Sequence, residues 1–442
     1  TIRLAQQTAQ GETCYPVKLI YGHIQQLIDQ KVDYIFLPSI HTMKHEKSRV
    51  KHNYGCVYMQ TAAVSIAKAL DIESKGITLL SPVFDLDFGQ EAMATAMLGL
   101  GKVLGIPKPL CAKALLSGAM AVRRHTAAVE KQGKALLETL KPEDKILVLI
   151  TRNYGVSDPI LNMGIPELLL ERGYKVITLS HLPGHALDIA DEYENLYYPF
   201  GQHILSGAKL IAHHPNLYAV YLTNHGCGPD TMLSHLFKQE MGDKPYLQIE
   251  VDEHFSNVGV ITRIEAFLNS LNHRPVEVLP KDFVLEQVDI RPCHLPAAPE
   301  KNLPLWLPPL GKYTAFLTGY FRAQGVDARA LPHLSAHALS LGRAETSAKE
   351  YLPFPVLLGG ILAQQEADPA PAQFLIPQTQ GAEADGQYAR VIRAVLDRRG
   401  NQSAKLVSPM LETLPATAQD RDALFRALLA GDILYAAPAA MR

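Results

Sequence analysis

The sequence has no apolar stretch long enough to cross a bilayer. Its longest runs, such as Ile146 to Ile150 and Pro353 to Leu358, fall far short of the ~20 residues a spanning helix needs, and they read as buried strands or helix faces. No basic cluster interleaved with aromatics is present, and a net charge of −2 lacks the electrostatic footprint of a nucleic-acid-binding surface. Five cysteines in 442 residues are too few and too scattered for a disulfide framework, and no signal peptide is evident, so a reducing cytoplasm is expected. A glycine-rich phosphate cradle is also missing. Gly99-Leu100-Gly101 lies in helical context without a third glycine, so no ATP site is expected in this chain. Apolar residues at 47% and charged residues at 19% exclude a disordered chain. The length implies two or three domains, because single cores stop growing near roughly 250 to 300 residues.

What is present alternates between helix and strand patterns. A helix is predicted over Leu19 to Asp29, followed by a buried parallel strand at Tyr34-Ile35-Phe36-Leu37-Pro38. Further strands are predicted at Lys145 to Thr151, Lys175 to Leu179 and Ala219 to Thr223, with a helix at Ile165 to Arg172, which implies a mostly parallel sheet. Residues 91–142, rich in Ala, Leu, Lys and Glu, read as a helical bridge between an α/β lobe at 1–90 and a second at 143–271. Prolines punctuate 272–308, which reads as a linker, and 309–442 as a last α/β module.

That module echoes the start of the chain. Tyr351-Leu352-Pro353-Phe354-Pro355-Val356-Leu357-Leu358-Gly359-Gly360-Ile361, then Phe374-Leu375-Ile376-Pro377, follows the pattern of Cys14-Tyr15-Pro16-Val17-Lys18-Leu19-Ile20-Tyr21-Gly22-His23-Ile24, then Phe36-Leu37-Pro38. The spacing from Cys14 to Pro38 is 38 − 14 = 24 and from Tyr351 to Pro377 is 377 − 351 = 26, consistent with a repeated module. The late copy is preceded by a further helix and strand pattern over 313–331 for which the early copy has no room.

The five cysteines differ in their surroundings. Cys14 opens a helix before Pro16, Cys56 follows Gly55, and Cys227 lies in Asn224-His225-Gly226-Cys227-Gly228-Pro229-Asp230 just beyond a predicted strand. Helix starts stabilise thiolates, and ends of parallel strands are where open α/β sheets bind ligands. Separations of 42 and 171 residues match no local zinc pattern, so spacing leaves two readings open: three ligands, or three small buried hydrophobes. Cys111, in helical context, and Cys293, in the linker, are read as structural. A second constellation, Glu250-Val251-Asp252-Glu253-His254, falls between a strand at 246–251 and a helix at 260–271. It reads either as a metal or partner loop or as local ion pairing answered by Arg263.

On Cys14-Tyr15-Pro16-Val17-Lys18 with Gly22-His23-Ile24, on Asn224 to Asp230, and on Asp252-Glu253-His254 with Gly259 to Phe267, the sequence resembles the acyl-CoA dehydratase activase-related proteins. That family is similar to 2-hydroxyacyl-CoA dehydratase subunits. The resemblance implies two or three Rossmann-like or flavodoxin-like lobes, and one 4Fe-4S cluster, or a double-cubane cluster, held by Cys14, Cys56 and Cys227. Lys18, His23, Asn224 and His225 would then lie around it. Large members also carry an actin-like ATPase module, absent here, so the resemblance implies a fragment or split subunit, a dimer, that works with an ATP-dependent activator. Relatives place further cysteines in a late Glu-Cys-x-Pro and in Asn-Gly-Pro-Cys-Arg-Phe-Gly-Gln-Tyr. Here those places hold Tyr351 and Glu383, so the late module is expected to bind no cluster. The function implied is low-potential electron transfer, or reductive or dehydratase-like chemistry on a small or acyl-CoA substrate. The alternative is a non-catalytic module that docks on the ATPase.

Overall fold

The computed structural model describes the chain except for residues 10, 12, 44–47, 51, 88, 255, 276–287, 289, 292, 348, 411–417 and 441–442. It divides into two compact units, residues 1–292 and 293–442. Among the described residues no helix is long and apolar enough to cross a membrane.

The first unit begins with α1 (Ile2–Thr8), α2 (Tyr15–Asp29), β1 (Tyr34–Phe36), β2 (Ser39–Thr42), α3 (Val57–Ala69), β3 (Thr78–Leu80) and β4 (Val83–Asp85). β1 pairs with β3 and β2 with β4, both in parallel. The two ladders follow one another across Leu37-Pro38 and Ser81-Pro82, because each proline lacks the N–H that would continue the ladder. Ile35 of β1 is buried as expected, but Tyr34 and Phe36 are 50% and 55% exposed, since helices cover only one face of this short sheet.

α4 (Gln90–Val103) and α5 (Lys108–Leu137) form a hairpin in which Gly101 packs on the Cys111 thiol. The Gly-x-Gly motif is thus a helix contact and Cys111 a buried packing residue. The chain then builds the main sheet: β5 (Ile146–Ile150), α6 (Asn153–Ser157), α7 (Ile165–Glu171), β6 (Lys175–Thr178), α8 (Pro199–His213), β7 (Leu217–Asn224), α9 (Gly228–Met241), β8 (Leu247–Val251) and α10 (Asn257–Asn272). The order is β6-β5-β7-β8 and all pairs are parallel. Every residue of β5 and of β7 is buried, as continuous apolar runs require when helices cover both faces. The order in which the chain adds strands reverses between β5 and β7, the switch point at which a doubly wound sheet opens a crevice beyond its strand ends.

The second unit holds β9 (Leu305–Leu307), α11 (Tyr313–Ala323), β10 (Ala328–Ala330), α12 (Ala336–Ala344), α13 (Pro353–Ala367), β11 (Ala372–Leu375), α14 (Tyr388–Arg398), β12 (Ala404–Val407) and α15 (Ala418–Ala440). β9 corrects the linker reading of 304–308: Pro304 and Pro308 flank a three-residue strand whose Leu305 and Leu307 are fully buried. The sheet order is β10-β9-β11-β12, again all parallel, so both large sheets wind identically.

The repeat is visible in the backbone. α2 and β1 recur as α13 and β11 at one offset, 353 − 15 = 372 − 34 = 338. Gly22 of α2 and Gly359 of α13 each meet the backbone of the preceding helix, α1 or α12, so closely that neither site has room for a Cβ. The pattern also extends beyond the motifs that first signal it. Leu80-Ser81-Pro82 recurs as Val407-Ser408-Pro409. Ser39 N–H donates to the Pro82 carbonyl at 3.0 Å, and Gln378 N–H to that of Pro409 at 2.9 Å.

Candidate functional site

Three of the five cysteines share one local geometry. Cys14, Cys56 and Cys227 are the N-caps of α2, α3 and α9, each with extended backbone. Two of these starts read Cys-x-Pro, with Pro16 and Pro229 in the first helical turn, where a missing N–H costs nothing. Each sulfur faces backbone N–H groups of its own first turn: Val17 for Cys14, Met59 and Tyr58 for Cys56, Asp230 for Cys227.

The helix starts are brought together by backbone contacts. Tyr15 N–H donates to the His225 carbonyl at 3.2 Å, which joins the Cys14 loop to the end of β7. Gly226 has φ +71°, and a Cβ there would stand 3.3 Å from the Cys14 Cα, so this crossing requires glycine. Cys14 lies within electrostatic reach of both Cys56 and Cys227, and all three sulfurs are influenced by Arg152 and Asp230.

Arg152 is the charged centre of the site. It follows β5, donates to both Asp230 carboxylate oxygens at 2.8 and 2.7 Å and to the Cys227 Sγ at 3.2 Å, and lies 4.5 Å from the centre of the Phe200 ring. Asp230 also accepts the Asn224 N–H at 3.1 Å. The pair is almost wholly buried, at 9% and 4% side-chain exposure, so neither charge can be removed alone without leaving the other uncompensated. Although burial opposes it, Asp230 and Cys227 hold the Arg152 guanidinium well above its usual range.

Burial dominates the thiols. It pushes Cys14 from 9.0 up to about 11, against the opposing pull of the Val17 N–H, and raises Cys56 and, further, Cys227. All three are therefore neutral thiols at pH 7 unless a cation or metal takes the proton's place. The Thr13 and Tyr15 hydroxyls on either side of Cys14 are buried without a hydrogen-bond partner among the described residues, and burial pushes Tyr15 up to about 12.

The surrounding residues divide. Asn224 is buried at the end of β7, and its Nδ2 donates to the Tyr154 hydroxyl at 3.4 Å. Lys18 pairs with Glu253 at 2.8 Å and closes the 252–254 loop onto α2. His225 contributes its carbonyl, while its ring turns to Glu250 at 3.0 Å. His23 is exposed on α2, nine residues and ~13 Å along the helix from Cys14, outside the group. Arg263, expected to answer the acidic loop, instead donates to the Gln248 carbonyl. Cys293 lies in the second unit, where its carbonyl accepts from Arg390 at 3.4 Å. Tyr351 and Glu383 of the late module are both exposed.

Arg152 and Tyr154 carry no motif that marks them, and Asp230 ends the Asn224–Asp230 motif without being singled out in it. The available signal is position: Arg152 lies two residues past the apolar run of β5, and Asp230 three past Cys227, both at the strand ends where such sheets open. Arg152 and Tyr154 also line a cleft of about 800 Å³ walled by α5, Met43, Met59, Phe200 and the start of α8.

Among the described residues, no group of three or more His, Cys, Asp and Glu side chains could hold a metal ion. No curated protein and no solved structure matches the chain. Residues 1–182, which include Cys14, Cys56 and Arg152 but end before Cys227, match the family model described as CoA enzyme activase uncharacterised domain. Over these residues the chain is similar to a CoA enzyme activase domain.

Proposed function

We propose that Cys14, Cys56 and Cys227 hold an iron–sulfur cluster, 4Fe-4S or part of a double cubane, and that the chain is a low-potential electron-transfer or reductive component of a CoA-enzyme system. The observation that carries this reading is the shared N-cap geometry: three soft donors, each backed by backbone N–H groups, around one buried guanidinium. Ligands of a cluster bind different irons and so stand further apart than ligands of one ion.

When bound, such a cluster would accept and pass single electrons. The chain's own residues would balance its charge. Three thiolates are an anionic load, and the helix N-termini and Arg152 face it with positive charge. Asp230 fixes the guanidinium, and the buried Asn224 donates to the Tyr154 hydroxyl beside it.

Anaerobic reconstitution with iron and sulfide tests the reading. Wild type should take up both with charge-transfer absorption, and Cys14→Ala, Cys56→Ala and Cys227→Ala should each lower iron content sharply. Unchanged iron content in the three variants, or none in wild type, overturns it. A docking module for an ATP-dependent activator is the second reading, favoured by Tyr351 and Glu383 standing where relatives have ligands. It predicts binding to the ATPase by protein that contains no iron.

A further inference from the structure

The cleft beside the cysteines extends well beyond them. Its apolar wall comes from Met43, Met59, Val156, Phe200 and Ile204, and its outer wall is one face of α5. That face presents Val122, Arg123, Thr126, Ala127 and Glu130, which follow the helical repeat. Volume and lining suit a small molecule, and the strand ends of β5 and β6 are the expected place for one in a parallel sheet.

Charge fixes how a ligand would lie. Arg123 is exposed at the rim, and no ion pair engages it among the described residues. Glu130 stands two turns further along the same face, about 10 Å away by helical rise. An anionic head is attracted to the Arg123 end and repelled from the Glu130 end. Arg152 cannot compete for the head, because Asp230 already occupies its guanidinium in a two-point pair. The wall between is mostly apolar, with Thr151, Asn153, Ser180 and His203 as its polar groups, and favours a hydrocarbon body.

We propose that this cleft binds an amphipathic carboxylate, with its head on Arg123 and its apolar body against Met59, Phe200 and Ile204. The proposal goes beyond the cluster reading and does not depend on it, since no cysteine lines the cleft.

Calorimetric titration of full-length, metal-free protein with octanoate and with octanamide tests it. Octanoate should bind and octanamide should bind about 2–5-fold more weakly, the range expected for loss of an ion pair to an exposed arginine. Arg123→Ala should lose a similar factor, whereas Glu130→Gln should retain or tighten octanoate binding. Val156→Trp, which fills the cleft, should abolish it. Equal affinity for acid and amide, or an Arg123→Ala variant that binds octanoate like wild type, overturns the proposal. Iron uptake by Arg123→Ala, measured separately, should match wild type, so failure of the cleft and failure of the cluster give different results.

Discussion

At the residue scale the site is governed by the cost of buried charge. The Cys14 thiol titrates at 9.0 ordinarily and at about 11 in the fold, chiefly through burial, so the fold favours the neutral form. Its contribution to stability is therefore complete below pH 9 and lost as pH rises toward 11. Two units correspond to roughly 2–3 kcal/mol, so the urea midpoint of metal-free protein should fall across that window and Cys14→Ala should flatten the fall. Metal uptake must displace these protons and should strengthen with pH over the same range. The Arg152–Asp230 pair makes a second prediction. Asp230→Leu leaves a buried guanidinium and should cost about 3–5 kcal/mol, whereas the double variant Arg152→Leu/Asp230→Leu should be closer to wild type than either single change. Chemical denaturation of the four proteins closes that cycle, and additive losses would refute the coupling.

At the element scale, helix starts and glycine contacts position the thiols, and they were not equally legible in the sequence. The continuous apolar runs of β5 and β7 announced a parallel sheet, and Pro16 after Cys14 announced a helix start, whereas Cys227 was legible only as a turn at a strand end and the helix it caps was not. Arg152 was not announced, because one arginine after a strand looks like any surface cation until the fold sets Asp230 beneath it. Exposure of Tyr34 and Phe36 was hidden for a related reason: three apolar residues do not reveal how many helices cover them. Proline-rich composition likewise concealed β9, since two prolines can bound a strand as well as break one. The Gly22 contact yields a test. A Cβ there would fall on the Thr1 carbonyl and 2.8 Å from the Ala5 nitrogen, so Gly22→Ala should cost ~1–3 kcal/mol as overpacking forces α1 and α2 apart. Because α2 begins at Cys14, the variant's Cys14 should also be alkylated faster by iodoacetamide at neutral pH. Gly359→Ala, where the same contact recurs between α13 and α12, should destabilise its unit without changing that rate.

At the scale of the whole chain, two similar folding units divide their chemistry unequally. Both wind a four-stranded parallel sheet in one order, and both contain the helix, strand and Ser-Pro pattern that in the first unit leads into the cysteine site. In the sequence repeat Tyr351 stands opposite Cys14, and Glu383 is the N-cap of a short helical turn. Neither a phenol nor a carboxylate matches a thiolate as a soft ligand. The second unit keeps one cysteine, Cys293, which caps no helix among the described residues. Every group invoked here for cluster or carboxylate binding lies within residues 1–292, a unit with its own buried sheet. Residues 1–292 produced alone should therefore take up iron and sulfide and bind octanoate like the full chain, and residues 293–442 should do neither. Iron analysis and calorimetry on the separate units decide it. Metal in the second unit, or octanoate binding that needs both, would mean that the division of labour read from these substitutions is wrong.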